Sequence, residues 1–216
     1  MIEISTFEAA LQRAATCLGI GRGLIGIVGK PGAGKSTFGK ALVEVLGESV
    51  ELLSMDGFHL SNEVLQGLGI SDRKGAPHTF DVHGYTSLLK QIRSELDNPI
   101  YYPVFDRAIE ESIAAKGVIK PTTHLVITEG NYLLLGTGGW EEVRPLLDEV
   151  WFVEVDDDLR LERLIERHIR YGRSPKAAKA WARGTDEQNA LVIEETRELA
   201  DVIIDLRGMG KYLHSR

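Results

Sequence analysis

The chain has 216 residues, of which 43% are hydrophobic and 26% charged, and it carries a formal net charge of −7. That length suits one α/β domain, or one domain with a lid. No apolar run reaches the ~18 residues of a membrane span, and the acidic balance argues against a nucleic-acid partner. A lone cysteine, Cys17, and a start (Met1-Ile2-Glu3-Ile4) with neither a basic nor a long apolar segment lead us to expect a cytoplasmic location.

Residues 5–18 read as an amphipathic helix capped by Ser5 or Thr6, with Phe7, Ala10, Leu11, Ala14 and Leu18 as its apolar stripe. A short apolar run over residues 23–28 has the character of a buried parallel strand. It leads into Gly29-Lys30-Pro31-Gly32-Ala33-Gly34-Lys35-Ser36-Thr37, a complete G-x-x-x-x-G-K-[ST] sequence, and helix formers then continue to about Leu46. Chance produces this pattern in about one chain of this length in a hundred, and its setting between strand and helix lowers those odds further. In such a loop the glycines allow backbone N–H groups to turn toward a phosphate, Lys35 sets its charge against the β- and γ-phosphates, and the Ser36 hydroxyl ligates Mg²⁺. The chain is therefore expected to bind a nucleoside triphosphate, with ATP and Mg²⁺ as the ligands and the whole stretch from Gly29 to Thr37 as the binding segment.

A second strand, residues 50–53, ends in Ser54-Met55-Asp56-Gly57-Phe58-His59, and a polar, Gly-rich stretch runs from Ser61 to Thr79. Asp81 then caps a helix carrying Leu88, Leu89, Ile92 and Leu96, which Asn98-Pro99 breaks. Residues 100–106 are expected to be extended. Residues 124–128 form a buried strand ending at Glu129-Gly130, and residues 150–155 form another. A helix from Asp157 to about Tyr171 follows, then a longer one over about 175–199, interrupted near Gly184, and residues 200–206 close the sheet. Strands alternating with helices at this spacing make an α/β fold whose mostly parallel sheet is covered by helices on both faces. No composition shift divides the chain, so residues 1–216 read as a single domain with a lid at about 160–184.

Ligands of such sheets sit at the carboxyl ends of the strands, where Asp56 and Glu129 both fall. Phosphoryl transfer needs positioning, charge stabilisation and a carboxylate that takes the proton of the acceptor hydroxyl. Asp56 is the candidate for that base, although Asp56-Gly57 is also an ordinary turn signal. Glu129 is placed like an acid that holds Mg²⁺ near Ser36. Residues 160–183 carry eight basic side chains against Glu162 and Glu166. Arg160, Arg163, Arg167 and Arg170 share one helical face by spacing, and the helix runs into a turn containing Arg173. A solvated charged face explains the arginines taken alone. A lid that brings Arg167 and Arg173 onto the transferring phosphoryl explains them together with the loop. The acceptor side is marked only by His59, by Asp81, for which capping also accounts, and by Tyr102 and Arg107 in Tyr102-Pro103-Val104-Phe105-Asp106-Arg107.

Together these segments resemble the P-loop kinases of the uridine kinase, phosphoribulokinase and bacterial-type pantothenate kinase superfamily, from Leu24 to Leu206. The segment Gly75-Ala76-Pro77-His78-Thr79-Phe80-Asp81, Arg167-His168, and Trp181 with Asn189 are most similar to the group labelled fructose transport system kinases or fructokinase-like proteins. The resemblance implies a P-loop NTPase fold with a five-stranded, mostly parallel sheet and a helical lid. It also implies an ATP donor with Mg²⁺, Asp56 as base, and Arg167 or Arg173 stabilising the transferring phosphate. The His-Pro-x-x-Phe-Asp pattern of uridine kinases is replaced here by Ala76-Pro77-His78-Thr79-Phe80-Asp81, and Arg107 stands where those enzymes tend to have histidine. Both departures count against uridine as acceptor.

The expected activity is transfer of the γ-phosphoryl of ATP to a hydroxyl of a small metabolite: a sugar such as fructose, a nucleoside or a pantothenate-like alcohol. A nucleotide-driven switch and a nucleoside monophosphate kinase are the alternatives. The first is disfavoured by the absence of N-K-x-D and L-S-G-G-Q sequences, and the second by the scatter of Arg73, Arg93 and Arg107. The expected partner is a small hydroxyl acceptor, with no nucleic acid or membrane, and a homodimer is left open.

Overall fold

The computed structural model describes residues 1–19 and 21–210. Strand β1 (Ile2–Ile4) precedes helix α1 (Phe7–Ala15), which Thr6 caps by accepting a hydrogen bond from the Ala9 N–H at 3.3 Å. Strand β2 (Gly23–Val28), helix α2 (Lys35–Leu46) and strand β3 (Val50–Ser54) follow as the spacing predicts. The polar stretch after residue 61 is not featureless. It contains the short helix α3 (Asn62–Gly67) and two single turns of 3₁₀ helix before α4 (Val82–Ser94). Then come β4 (Ile100–Asp106), β5 (Glu111–Ile119), β6 (Leu125–Gly130) and β7 (Glu149–Glu154). The chain continues through α5 (Asp157–Arg170), α6 (Pro175–Arg183), α7 (Thr185–Glu194) and β8 (Val202–Asp205).

The main sheet has six strands, in the order β1-β8-β7-β2-β6-β3, and every neighbouring pair is parallel. The expected count of five falls short by β1. That strand has only three residues and becomes a strand through its pairing with β8 at the sheet edge, which no local pattern announces. Strand β5 is a second element the pattern did not reveal. Its Ala- and Lys-containing sequence has weak strand propensity, and it forms by antiparallel pairing with β4 in a separate two-stranded ribbon. The long helix expected over 175–199 is two helices, broken at Gly184. The N-terminal helix stops at Ala15, so Leu18 lies outside it and is partly exposed.

Burial follows the alternation of a strand covered on both faces. On β2, Leu24 and Val28 enter one core with Tyr85, Leu89, Trp140 and Phe152. Ile25 and Ile27 enter the other with Phe7, Phe38, Leu42 and Trp151. Because all six strands run the same way, the phosphate loop after β2, Asp56 after β3, Glu129 near the end of β6 and the start of α5 after β7 emerge at one edge.

Candidate active site

The loop after β2 wraps its own lysine. Lys35 Nζ donates to Gly29 O at 2.8 Å, Lys30 O at 3.2 Å and Asn131 Oδ1 at 2.7 Å. Burial pushes this ammonium down to about 8, against the opposing charges of Glu129 and Asp56. Gly32 has φ +82°, and a Cβ there would stand 2.7 Å from Leu164 Cγ and 2.8 Å from Arg160 O, so the loop packs directly on α5. Pro31, Gly32, Gly34, Lys35, Ser36 and Thr37 line a cavity of about 820 Å³, and Gly29, Lys30 and Ala33 do not line it. The Lys30 side chain is turned to Asp157 and Glu194, at 2.8 and 3.2 Å.

The register of β3 against β6 pairs Ser54 with Glu129. The Ser54 hydroxyl donates to Glu129 Oε1 at 2.6 Å, and Ser36 Oγ donates to the same oxygen at 3.0 Å. Burial and the nearby Asp56 charge push the Glu129 carboxyl up from the usual range. Two hydroxyls converging on one carboxylate beside a phosphate loop form an all-oxygen donor set. That suits Mg²⁺, which takes one or two protein oxygens and completes its shell from phosphates and water.

Asp56 lies in a single 3₁₀ turn directly after β3. The turn is held tightly: a Cβ on Gly57 would stand 2.1 Å from Pro103 O, so the turn and β4 can touch only through glycine. Asp56 Oδ2 accepts from Arg107 at 2.6 Å. Burial alone would raise this carboxyl, but the charges of Arg107 first, and of Lys35 and Arg167, outweigh it and hold it below the ordinary aspartate value. His59 Nδ1 donates to Asp56 O at 2.8 Å, and its ring stands between Phe80 and Phe105, with centroids 4.0 and 4.7 Å away. Burial lowers the imidazole pKa despite Asp56, which keeps the ring neutral at pH 7.

Opposite these groups stands α5. Arg163, Arg167 and Arg170 line the cavity, as does Arg173 in the following turn. The Arg167 guanidinium makes no hydrogen bond or ion pair among the described residues, and burial together with nearby Arg107 lowers its pKa. Arg173 is stacked on Trp181, its guanidinium carbon 4.0 Å from the ring centroid. Arg160 departs from the face its spacing assigns. It is 2% exposed and bonds Asp157 at 2.9 Å, Glu187 at 2.6 Å and Pro31 O at 3.4 Å. It fastens the root of α5 to the loop.

Two expected acceptor contacts are not brought to the cavity. Asp81 caps α4, its carboxylate accepting from the Gly84 N–H at 2.8 Å. Tyr102 points inward from β4 and donates to Glu51 Oε1 and Leu52 O, at 3.1 and 3.2 Å. Capping and strand alternation account for these two residues, whereas His59 and Arg107 do line the cavity. Sequence reasoning passed over Ser54, Lys74, Asn131 and Asp186, all polar groups at or near this site. Ser54 and Asn131 flank the motifs that were found, so their place at strand ends was the available signal. Asp186 Oδ2 accepts from His168 Nε2 at 2.7 Å across α5 and α7, a pairing that only the tertiary fold creates.

A phosphate loop after the central strand, acids at the ends of β3 and β6, and arginines facing them from α5 define a P-loop small-molecule kinase. The profile of the Phosphoribulokinase / Uridine kinase family matches residues 24–210, and the chain belongs to that family. A crystal structure from Silicibacter sp. TM1040, provisionally named a fructose transport system kinase, superposes with a TM-score of 0.84 at 36% identity over 93% of this chain and 99% of its own. A Schizosaccharomyces pombe protein provisionally named a uridine kinase is 31% identical, over 94% of this chain and 91% of its own. An Enterococcus faecalis pantothenate kinase is 31% identical over 67% of this chain and 48% of its own. No helix among the described residues is long and apolar enough to cross a membrane.

Proposed function

We propose that this protein transfers the γ-phosphoryl group of Mg–ATP to a hydroxyl of a small metabolite. The observation that carries this reading is that one cavity is lined by Lys35, Ser36, Glu129, Asp56 and the guanidinium of Arg167, which is unpaired among the described residues. A triphosphate-binding lysine, an oxygen site for a divalent cation, a carboxylate base and a free cation for developing charge are the parts that phosphoryl transfer requires.

In this reading the acceptor hydroxyl gives its proton to Asp56 as its oxygen forms a bond to the γ-phosphorus. The bond from that phosphorus to the bridging oxygen breaks, and the bridging oxygen leaves with ADP. Lys35 and Arg167 stabilise the charge spread over the transferring group. Arg173 joins them when the lid formed by α5 and α6 closes over the loop. Ser36 and Glu129 would hold Mg²⁺, which when bound neutralises phosphate charge. The acceptor is drawn from sugars such as fructose, nucleosides and pantothenate-like alcohols, with His59 and Arg107 as its contacts.

The test is a coupled ADP-release screen with Mg–ATP against hexoses, pentoses, nucleosides and pantothenate, beside a control without acceptor. Strong stimulation by one acceptor is expected. Brisk ADP release that no acceptor alters would identify an ATPase or switch and remove Asp56 from the role of base.

A further inference from the structure

Lys74 stands in the cavity wall on the acceptor side, just after the 3₁₀ turn formed by Ser71–Arg73. Its Nζ donates to Asn62 Oδ1 at 2.6 Å and Glu110 O at 2.5 Å. Both are uncharged oxygens, and among the described residues no carboxylate forms an ion pair with it. Burial lowers the Lys74 pKa against the more distant Glu111 and Glu110 charges. Nζ also stands 5.4 Å from the centroid of the Phe105 ring, and the Arg107 guanidinium carbon is 5.8 Å from the same centroid. One aromatic ring thus carries two cations. The first has no ionic partner. The second has a single one, and that partner is the candidate base, Asp56.

A neutral polyol explains this arrangement poorly. A neutral hydroxyl meets this partly exposed ammonium only as one more uncharged oxygen, like the two it already holds, whereas a carboxylate or phosphate adds the attraction of opposite charges. A neutral ligand also cannot compete with Asp56 for Arg107, so the base would stay engaged. Resting on the kinase reading above, we propose that the acceptor is itself an anion. Its carboxylate or phosphate monoester lies between Lys74 and Arg107 over Phe105, and its hydroxyl reaches Asp56. Binding of that anion draws Arg107 from Asp56 and leaves the carboxylate open to the hydroxyl proton. Recognition of charge is then coupled to the chemical step, and a neutral analogue loses kcat as well as affinity.

The experiment incubates the whole protein with Mg–ATP radiolabelled at the γ-phosphorus and a metabolite extract split on anion-exchange resin. The neutral flow-through and the retained acidic fraction are assayed separately. Label is expected in products of the acidic fraction alone. Treating that fraction beforehand with a phosphatase, then removing it, abolishes transfer if the anion is a phosphate monoester and leaves it intact if the anion is a carboxylate. Lys74→Met is expected to lose at least roughly tenfold in kcat/KM for the labelled acceptor at unchanged ATP affinity. Lys74→Arg, which keeps the charge, restores most of that loss, which a purely structural role for the lysine would not produce. Transfer to the neutral fraction, equal for wild type and Lys74→Met, overturns this inference and leaves the kinase reading standing. Transfer to neither fraction by protein that binds ATP overturns both.

Discussion

Asp56 and Lys35 show how one side chain's surroundings set what it can do. Asp56 is ionised well below neutrality because Arg107, Lys35 and Arg167 surround it, with Arg107 contributing the largest lowering. Asp56→Asn keeps the shape and removes proton acceptance, so transfer should fall by ~100-fold or more while the ATP dissociation constant stays within about twofold. Arg107→Ala should raise the Asp56 pKa and move the acid limb of the kcat/KM profile to higher pH, read from initial rates across a pH series. Lys35 titrates at about 8 in the free protein, and a triphosphate beside it would raise that value. Above pH 8 nucleotide binding should therefore take up a proton and weaken as pH rises. Titration calorimetry in buffers of different ionisation enthalpy should show uptake at pH 9 and almost none at pH 6.5.

At the scale of elements, the site is an alignment of segments that do not touch in sequence. The turn bearing Asp56 sits against β4 at a contact only glycine permits, since a Cβ on Gly57 would meet Pro103 O at 2.1 Å. Gly57→Ala must push the turn or the ribbon aside. We expect a loss of stability of about 1–3 kcal/mol in chemical denaturation and a larger loss in transfer than in ATP affinity, because the phosphate loop is untouched. Arg160 plays the corresponding part for α5, a buried cation shared among Asp157, Glu187 and the loop carbonyl of Pro31. Its heptad-like neighbours Arg163 and Arg167 are left to the cavity. Helical spacing put these arginines together, and packing against the loop divided their tasks.

Over the whole molecule, nucleotide binding and folding are linked, because the loop exists as a cradle only when β2, α2 and α5 are packed. A nonhydrolysable ATP analogue with Mg²⁺ at 100 times its dissociation constant should stabilise the protein by about 2.7 kcal/mol. For a chain of this size that is a rise in Tm of about 5–10 °C. Lys35→Ala should lose most of the shift at the same ligand concentration while its unliganded Tm is little lowered. An unchanged shift in the variant would remove Lys35 from the triphosphate site.

Local chemistry was enough to identify the phosphate loop, the parallel sheet and the acids at its carboxyl edge. Glycine spacing, apolar runs and strand-end polar residues are properties of contiguous segments, and they made Lys35, Ser36, Asp56 and Glu129 legible in the sequence. Tertiary structure alone decided the rest. The three residues of β1 became a strand because β8 lay beside them, and β5 because β4 did. Tyr102 and Asp81 carried the right chemistry for an acceptor site but were directed into the fold and onto a helix cap. Lys74 and Asp186, which no motif marks, were brought to the cavity by segments far apart in the chain. A contact between distant segments has no local signature, so which side chains line the cavity was settled only when the sheet, the ribbon and α5 closed around one space.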